Sequence, residues 1–317
     1  MNDKSLAFIF PGQGSQSVGM LQELALEHPI VPGTFQEASD VLGYDLWRMV
    51  ADGPSEQLNQ TEYTQPAMLV ADVAAWRVWC ESSPLRPAWM AGHSLGEYAA
   101  LVCSGALSFT DGVGLVRERA QLMQHAVPSG VGAMAAILGM EDAEVVEICG
   151  QISTSDAVVT AANFNSPGQV VVAGHKSAVE TCIEKARSAG AKRAVLLPVS
   201  VPSHCPLMAK AAEQFLQRLQ KITIMAATAQ CSVVHNVDVS VQTEADAIRD
   251  RLAGQLHGSV RWSETVAVLA SRGVTRFVEC GPGKVLTGLG KRIAADVPTE
   301  PLYSPDSLRK VLEMING

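Results

Sequence analysis

Gly92-His93-Ser94-Leu95-Gly96 places a serine between two glycines in the pattern G-x-S-x-G. A short apolar run, Ala88-Trp89-Met90-Ala91, precedes it, and a helical, alanine-rich segment from Leu95 to Cys103 follows. A turn from strand to helix built this way lifts the hydroxyl off a sheet. It also sets the serine at a helix N-terminus, where free N–H groups favour developing negative charge. The chemistry this suggests is nucleophilic acyl transfer through Ser94. The plainer alternative is a serine capping an ordinary helix. Chance supplies the pentapeptide in roughly one chain in ten of this length, so the flanking strand and helix carry the argument for a nucleophile.

A serine nucleophile needs a base, because its free hydroxyl is weak at neutral pH. Seven histidines are available. His93 adjoins Ser94, where side chains diverge, and reads as a packing or turn residue. His28 lies in a surface-like loop, and His175 marks a helix entry. His125, His235 and His257 read as ordinary polar residues. His204 stands in Pro198-Val199-Ser200-Val201-Pro202-Ser203-His204-Cys205-Pro206, where three prolines stiffen the chain around it. A fixed imidazole suits catalysis, but residue chemistry alone leaves the base open.

Two Gly-rich loops invite a phosphate. In Phe8–Met20, FIFPGQGSQSVGM, Gly12 and Gly14 fit a dinucleotide fingerprint, but Ser17 holds the third glycine position. No second strand ends in an acid about twenty residues on. Glu279-Cys280-Gly281-Pro282-Gly283-Lys284-Val285 fails as a P-loop, since Val285 cannot ligate magnesium. A strand-end loop can instead supply the second N–H of an oxyanion hole, and the opening loop suits that role.

The elements that position these residues follow an α/β pattern. The chain has 317 residues, 47% hydrophobic and 18% charged, which fits strands buried on both faces. The run Leu6–Phe10 reads as a strand, Thr34–Leu42 and Leu69–Trp79 as helices. Short apolar strands alternating with helices imply a parallel sheet. From Val127 to about Pro198 the order changes. Ala133–Leu138, Val158–Ala162, Val170–Ala173 and Ala194–Leu197 read as strands, with helices at Asp142–Ile152 and Ala178–Ala189. That βαββαβ order is the ferredoxin-like split pattern. Helices then return at Leu207–Leu219, Ala245–Leu256 and Ser263–Ser271, with a strand at Arg276–Glu279. The tail after Pro301 carries no signal.

Composition excludes several function classes. The formal net charge of −8 argues against nonspecific nucleic-acid binding. No apolar run is long enough to span a membrane, and the N-terminal apolar stretch is too short for a signal peptide. Seven scattered cysteines without a C-x-x-C pair point to reduced thiols in a cytoplasm and give no zinc pattern. No metal is expected.

Three separated segments match one family. FPGQGSQ (Phe10–Gln16), GHSLGEYAAL (Gly92–Leu101) and VSVPSHCPLM (Val199–Met208) together resemble the malonyl-CoA:acyl carrier protein transacylases of fatty acid synthesis. Gly132-Ala133-Met134, Asn163–Gln169, Gln255-Leu256 and Gly281–Leu286 match further, in the family's order. The resemblance runs from Phe8 to about Ile293.

This resemblance implies a ping-pong transfer. Ser94 attacks the malonyl thioester of coenzyme A with His204 as general base, and the N–H groups of Leu95 and Gln13 hold the oxyanion. A backbone carbonyl near Gln255 orients the imidazole in place of a carboxylate. Arg119 matches the arginine that binds the malonyl carboxylate, a role a guanidinium fork suits. Residue chemistry alone would make it a solvated helix-face arginine. The implied fold is a hydrolase-like core at 1–128 and 199–317, with the ferredoxin-like subdomain inserted at 129–198. Malonyl-CoA would be substrate, with no bound cofactor, and acyl carrier protein the partner. Lys192, Arg193, Lys284, Lys291 and Arg292 are candidates for a basic patch facing that acidic partner. A polyketide or malonate decarboxylase context would use the same residues. A serine esterase would need an acidic triad member, and a nucleotide-binding module rests only on the two flawed loops. His235 stands where many members have a small or amide residue, and no role follows for it.

Overall fold

The computed structural model describes residues 2–199, 201–225 and 231–316; Ser200 of the VSVPSHCPLM motif lies outside them. The strands, in chain order, are β1 (Asn2–Phe10), β2 (Arg86–Gly92), β3 (Gly132–Leu138), β4 (Val159–Ser166), β5 (Gln169–His175), β6 (Arg193–Leu196), β7 (Ser232–Val234), β8 (Arg276–Cys280) and β9 (Thr299–Leu302). Five of them form a parallel sheet in the order β7-β2-β1-β8-β9.

β1 shows why this sheet sits between two helical layers. Leu6, Phe8 and Phe10 join one buried cluster, while Ala7 and Ile9 join another on the opposite face. Side chains alternate along a strand, so a run apolar at every position buries both faces. Phe8 lies 5.2 Å from Trp76 and 5.3 Å from Trp79, ring centre to ring centre, on the Thr61–Ser82 helix. On the other side Ile9 and Ala7 pack with Trp262, Val266 and Leu289, from the Trp262–Ser271 and Val285–Ile293 helices. Each large apolar side chain buried this way stabilises by roughly 1.5–3 kcal/mol.

A second, antiparallel sheet runs β4-β5-β3-β6. One face covers the Asp142–Ile152 and Lys176–Ser188 helices through Ala135, Ile137, Val145, Val170 and Val179. The other face, with Met134, Ala162, Val171 and Ala173, meets Cys205 beside His204. Backbone bonds from Phe164 N–H to Val260 O and from Val260 N–H to Ala162 O, both 2.9 Å, tie β4 to the larger layer.

Several elements differ from expectation. The segment predicted as one helix over Leu207–Leu219 splits into a 3-10 turn, Pro206–Met208, and a helix, Ala209–Leu219. The helix after Ser94 begins at Gly96, because Leu95 belongs to the turn. β7 has only three residues, too short for a period. β9 contains Pro301, which an edge strand tolerates because it lacks an outer neighbour. The tail after Pro301 forms a helix, Pro305–Asn316, that buries Leu308 and Val311. No helix among the described residues is long and apolar enough to cross a membrane.

Candidate active site

Strand β2 ends at Gly92 and the chain turns through Ser94 into the Gly96–Cys103 helix. Ser94 has φ 51°, in the left-handed region that a non-glycine residue occupies only when its surroundings hold it there. The two flanking glycines permit the turn. A Cβ on Gly92 would lie 1.9 Å from the carbonyl carbon of Gly96, and one on Gly96 would lie 2.1 Å from Phe10 O. Any side chain at either position would break the contact between turn and strand.

The Ser94 hydroxyl lies 2.7 Å from His204 Nε2. The imidazole's other nitrogen, Nδ1, lies 2.7 Å from the backbone oxygen of Gln255. A carbonyl only accepts, so Nδ1 carries the hydrogen and Nε2 is free to receive the serine proton. His204 also has positive φ, 61°, and its N–H donates to Leu256 O at 3.0 Å. The ring is buried. Burial, and next the Arg119 cation, push the His204 pKa down to about 3, while the Gln255 carbonyl opposes the shift. The imidazole is therefore a neutral base at physiological pH.

Arg119 is not the solvated arginine that residue chemistry alone suggested. It is 1% exposed. Its guanidinium donates to Gln65 Oε1 at 2.7 Å, to Gln255 Oε1 at 2.8 Å and to Ser94 Oγ at 3.1 Å. It lies 5.2 Å from the Tyr98 ring centre, and Nε has no partner among the described residues. The Phe109–His125 helix thus delivers a fixed cation beside the serine.

The opening loop packs on the elbow: a Cβ on Gly12 would lie 2.5 Å from His93 O and 3.7 Å from Leu95 N. His93 N–H donates to Phe10 O at 3.0 Å. The backbone N–H groups of Gln13 and Leu95 make no hydrogen bond among the described residues. One donor is thus unengaged in the turn that carries Ser94 and one in the loop packed on it.

Ser94, His204, Arg119 and Gln255 converge, with Leu95 next to the serine and Gln13 one residue beyond the Gly12 contact with the elbow. His93 turns away, to Asn165 Oδ1 at 2.8 Å, and lies 5.6 Å from Trp262, ring centre to ring centre. His175 precedes its helix and accepts from Val158 N–H. His235 is buried and pairs with Glu97 at 2.7 Å. Sequence reasoning missed Gln65, Glu97 and Asn236. Asn236 Oδ1 accepts from Ser94 N–H at 2.7 Å while its amide nitrogen donates to Gly92 O at 2.7 Å. Asn236 follows β7, whose brevity hid the only local signal; Glu97 lay in plain view within the GHSLGE segment.

Comparison with known proteins decides the family. The acyl transferase domain profile matches residues 7–301. This chain is an acyltransferase of that family. Among curated relatives of the acyltransferase is the malonyl CoA-acyl carrier protein transacylase of Salmonella typhimurium, 54% identical over 306 residues, covering 96% of this chain and 98% of the relative. Among solved structures, the acyl carrier protein S-malonyltransferase of Vibrio cholerae superposes with TM-score 0.94 at 51% identity, covering 97% of this chain and 99% of that one. A malonyl-transacylase in complex with a type II polyketide-synthase acyl-carrier protein gives TM-score 0.95 at 50% identity, covering 98% and 99%.

Proposed function

We propose that the chain transfers malonyl from malonyl-CoA to the phosphopantetheine thiol of acyl carrier protein, through a malonyl ester on Ser94, to supply fatty acid synthesis. The observation that carries this reading is the buried Arg119 guanidinium 3.1 Å from the Ser94 hydroxyl. A cation at that distance recognises an acyl group that itself bears a carboxylate.

The steps follow from the atoms present. Ser94 Oγ attacks the thioester carbon as its proton passes to His204 Nε2. Leu95 and Gln13 N–H groups take the oxyanion, a contribution on the order of 3 kcal/mol for each donor. Collapse breaks the carbon–sulfur bond, and the coenzyme A thiolate takes the proton from His204. The carrier thiol then gives its proton to His204 and attacks the ester, and Ser94 recovers its proton. The Gln255 carbonyl keeps the imidazole in the tautomer each step needs.

The smaller sheet's strand order supports a ferredoxin-like subdomain at 129–198. Its face against Cys205, with the β4 bonds to Val260, fits its capping the core at 1–128 and 199–317, with the active site between them. Lys192, Arg193, Lys284, Lys291 and Arg292 are exposed and offer a basic surface for an acidic carrier; Arg292 reaches Gln169 Oε1 across the two parts at 2.9 Å. No bound cofactor is required by these steps. The seven cysteines are free, which fits the cytoplasm. The relative bound to a polyketide carrier extends the reading to carriers of that kind.

The test is incubation with malonyl-CoA and holo acyl carrier protein. Malonyl carrier protein and an equal amount of free coenzyme A are expected, with acetyl-CoA about 10²-fold poorer as donor. Release of free malonate with the carrier left unmodified would overturn transfer in favour of an esterase.

A further inference from the structure

The steps above leave one buried charged side chain beside the site unused. Glu97, three residues after the nucleophile, is fully buried in the first turn of the Gly96–Cys103 helix. Its Oε1 lies 2.7 Å from His235 Nδ1. Its Oε2 accepts from Asn236 N–H at 3.1 Å and from Gln255 Nε2 at 2.7 Å.

The direction of these bonds matters more than their number. A carboxylate only accepts, so the Gln255 amide must turn its nitrogen toward Glu97. The same nitrogen donates to Ser94 O at 2.9 Å. That leaves the amide oxygen facing Arg119, where it receives the guanidinium at 2.8 Å. A flipped amide would set oxygen against three oxygens, of Glu97, Ser94 and Asn236, and nitrogen against the cation. Gln65 holds the other end of the guanidinium and the Tyr98 ring lies over it; Gln255 holds the nitrogen that also reaches Ser94 Oγ.

We propose that Glu97 is a positioning residue for carboxylate recognition: by fixing the orientation of the Gln255 amide it holds Arg119 beside Ser94, where the acyl carboxylate is bound. This inference rests on Arg119 as the carboxylate-binding group. His235 and Asn236 then serve to hold Glu97, which gives the unassigned histidine a place.

The experiment compares acylation of Ser94 by malonyl-CoA and by acetyl-CoA, read as rates of adduct formation by intact-protein mass. Wild type, Arg119→Ala, Glu97→Met and Glu97→Gln are compared, with thermal unfolding of each. In Glu97→Met the malonyl-to-acetyl rate ratio should fall about tenfold, because His235, Asn236 N–H and the Gln255 amide lose their charged acceptor and the amide keeps the Ser94 carbonyl as its remaining close acceptor. Glu97→Gln should keep the ratio within about threefold of wild type, since its oxygen reaches the same two donors. A merely structural role would lower both rates together and leave the ratio fixed. An unchanged ratio in Glu97→Met, alongside a collapsed ratio in Arg119→Ala, would overturn the positioning role alone. An unchanged ratio in Arg119→Ala would overturn both readings. Should Glu97→Met fail to fold, Glu97→Asp carries the test: its shorter carboxylate retreats from Gln255, and the ratio should again fall.

Discussion

Two strands of the parallel sheet, β2 and β8, end in Gly-rich turns that lead directly into helices, yet the turns do opposite things. After β8, the helix N-terminus is already occupied. Glu279 is buried and accepts from Leu286 N–H at 2.9 Å, Thr287 N–H at 2.7 Å and Thr287 Oγ1 at 2.6 Å. Burial raises its pKa, and these bonds hold the shift down. After β2, one donor is left over: Leu95 N–H, next to Ser94, makes no hydrogen bond among the described residues, while Ser94 N–H donates to Asn236 and no carboxylate takes either group. A Gly-rich strand-to-helix turn is therefore not by itself an anion site. What decides is whether a carboxylate of the same chain has already taken the N–H groups.

The comparison can be broken most severely at the open turn. Ser94→Ala should lower transfer by at least about 10⁴-fold in a steady-state assay while leaving thermal unfolding near wild type. Arg119→Ala should lower kcat/KM for malonyl-CoA by about 10²-fold, with acetyl-CoA much less affected. At the closed turn the expectation reverses. Glu279→Ala should cost roughly 2–4 kcal/mol in urea unfolding, because two buried N–H groups lose their acceptor, with little change in kcat for the folded fraction.

The smallest change is expected with pH. An ordinary imidazole, with pKa near 6.5, would lose about 25-fold of its neutral form between pH 7 and pH 5. His204, held at about 3, keeps its neutral form across that range, because a lowered pKa delays protonation as pH falls. The acylation rate of wild type should therefore change by less than about twofold from pH 7 to pH 5, measured by rapid-mixing adduct formation. A fall tracking a pKa near 6.5 would contradict the burial argument.

The contrast between the turns also marks what sequence could reveal. Ser94 was legible because its neighbours had to be small, and β1 because every position from Leu6 to Phe10 had to be apolar. The rejection of the Glu279 loop as a phosphate site came from Val285, while its physical cause, a carboxylate reaching its own helix, needed coordinates. His204 was one of seven histidines until the family resemblance singled it out, because its partners lie far along the chain, at Ser94 and Gln255. On residue chemistry alone Arg119 read as solvated, and only the family resemblance made it a binding residue, because nothing in its helix reveals that Gln65, Gln255 and Tyr98 close around it. Glu97, Asn236 and Gln65 went unread because their roles lie in the direction of hydrogen bonds, which spacing does not encode. β9 escaped notice because an edge strand with proline carries a weak periodic signal, whereas the terminal helix is strongly amphipathic and was readable from its spacing.

The most direct test of the account is the mass of the intact protein, with peptide mapping, after brief exposure to malonyl-CoA without carrier. A single malonyl group on Ser94, absent from Ser94→Ala and removed on adding holo acyl carrier protein, is the predicted result. Coenzyme A release without an adduct, or an adduct that persists in Ser94→Ala, would contradict it.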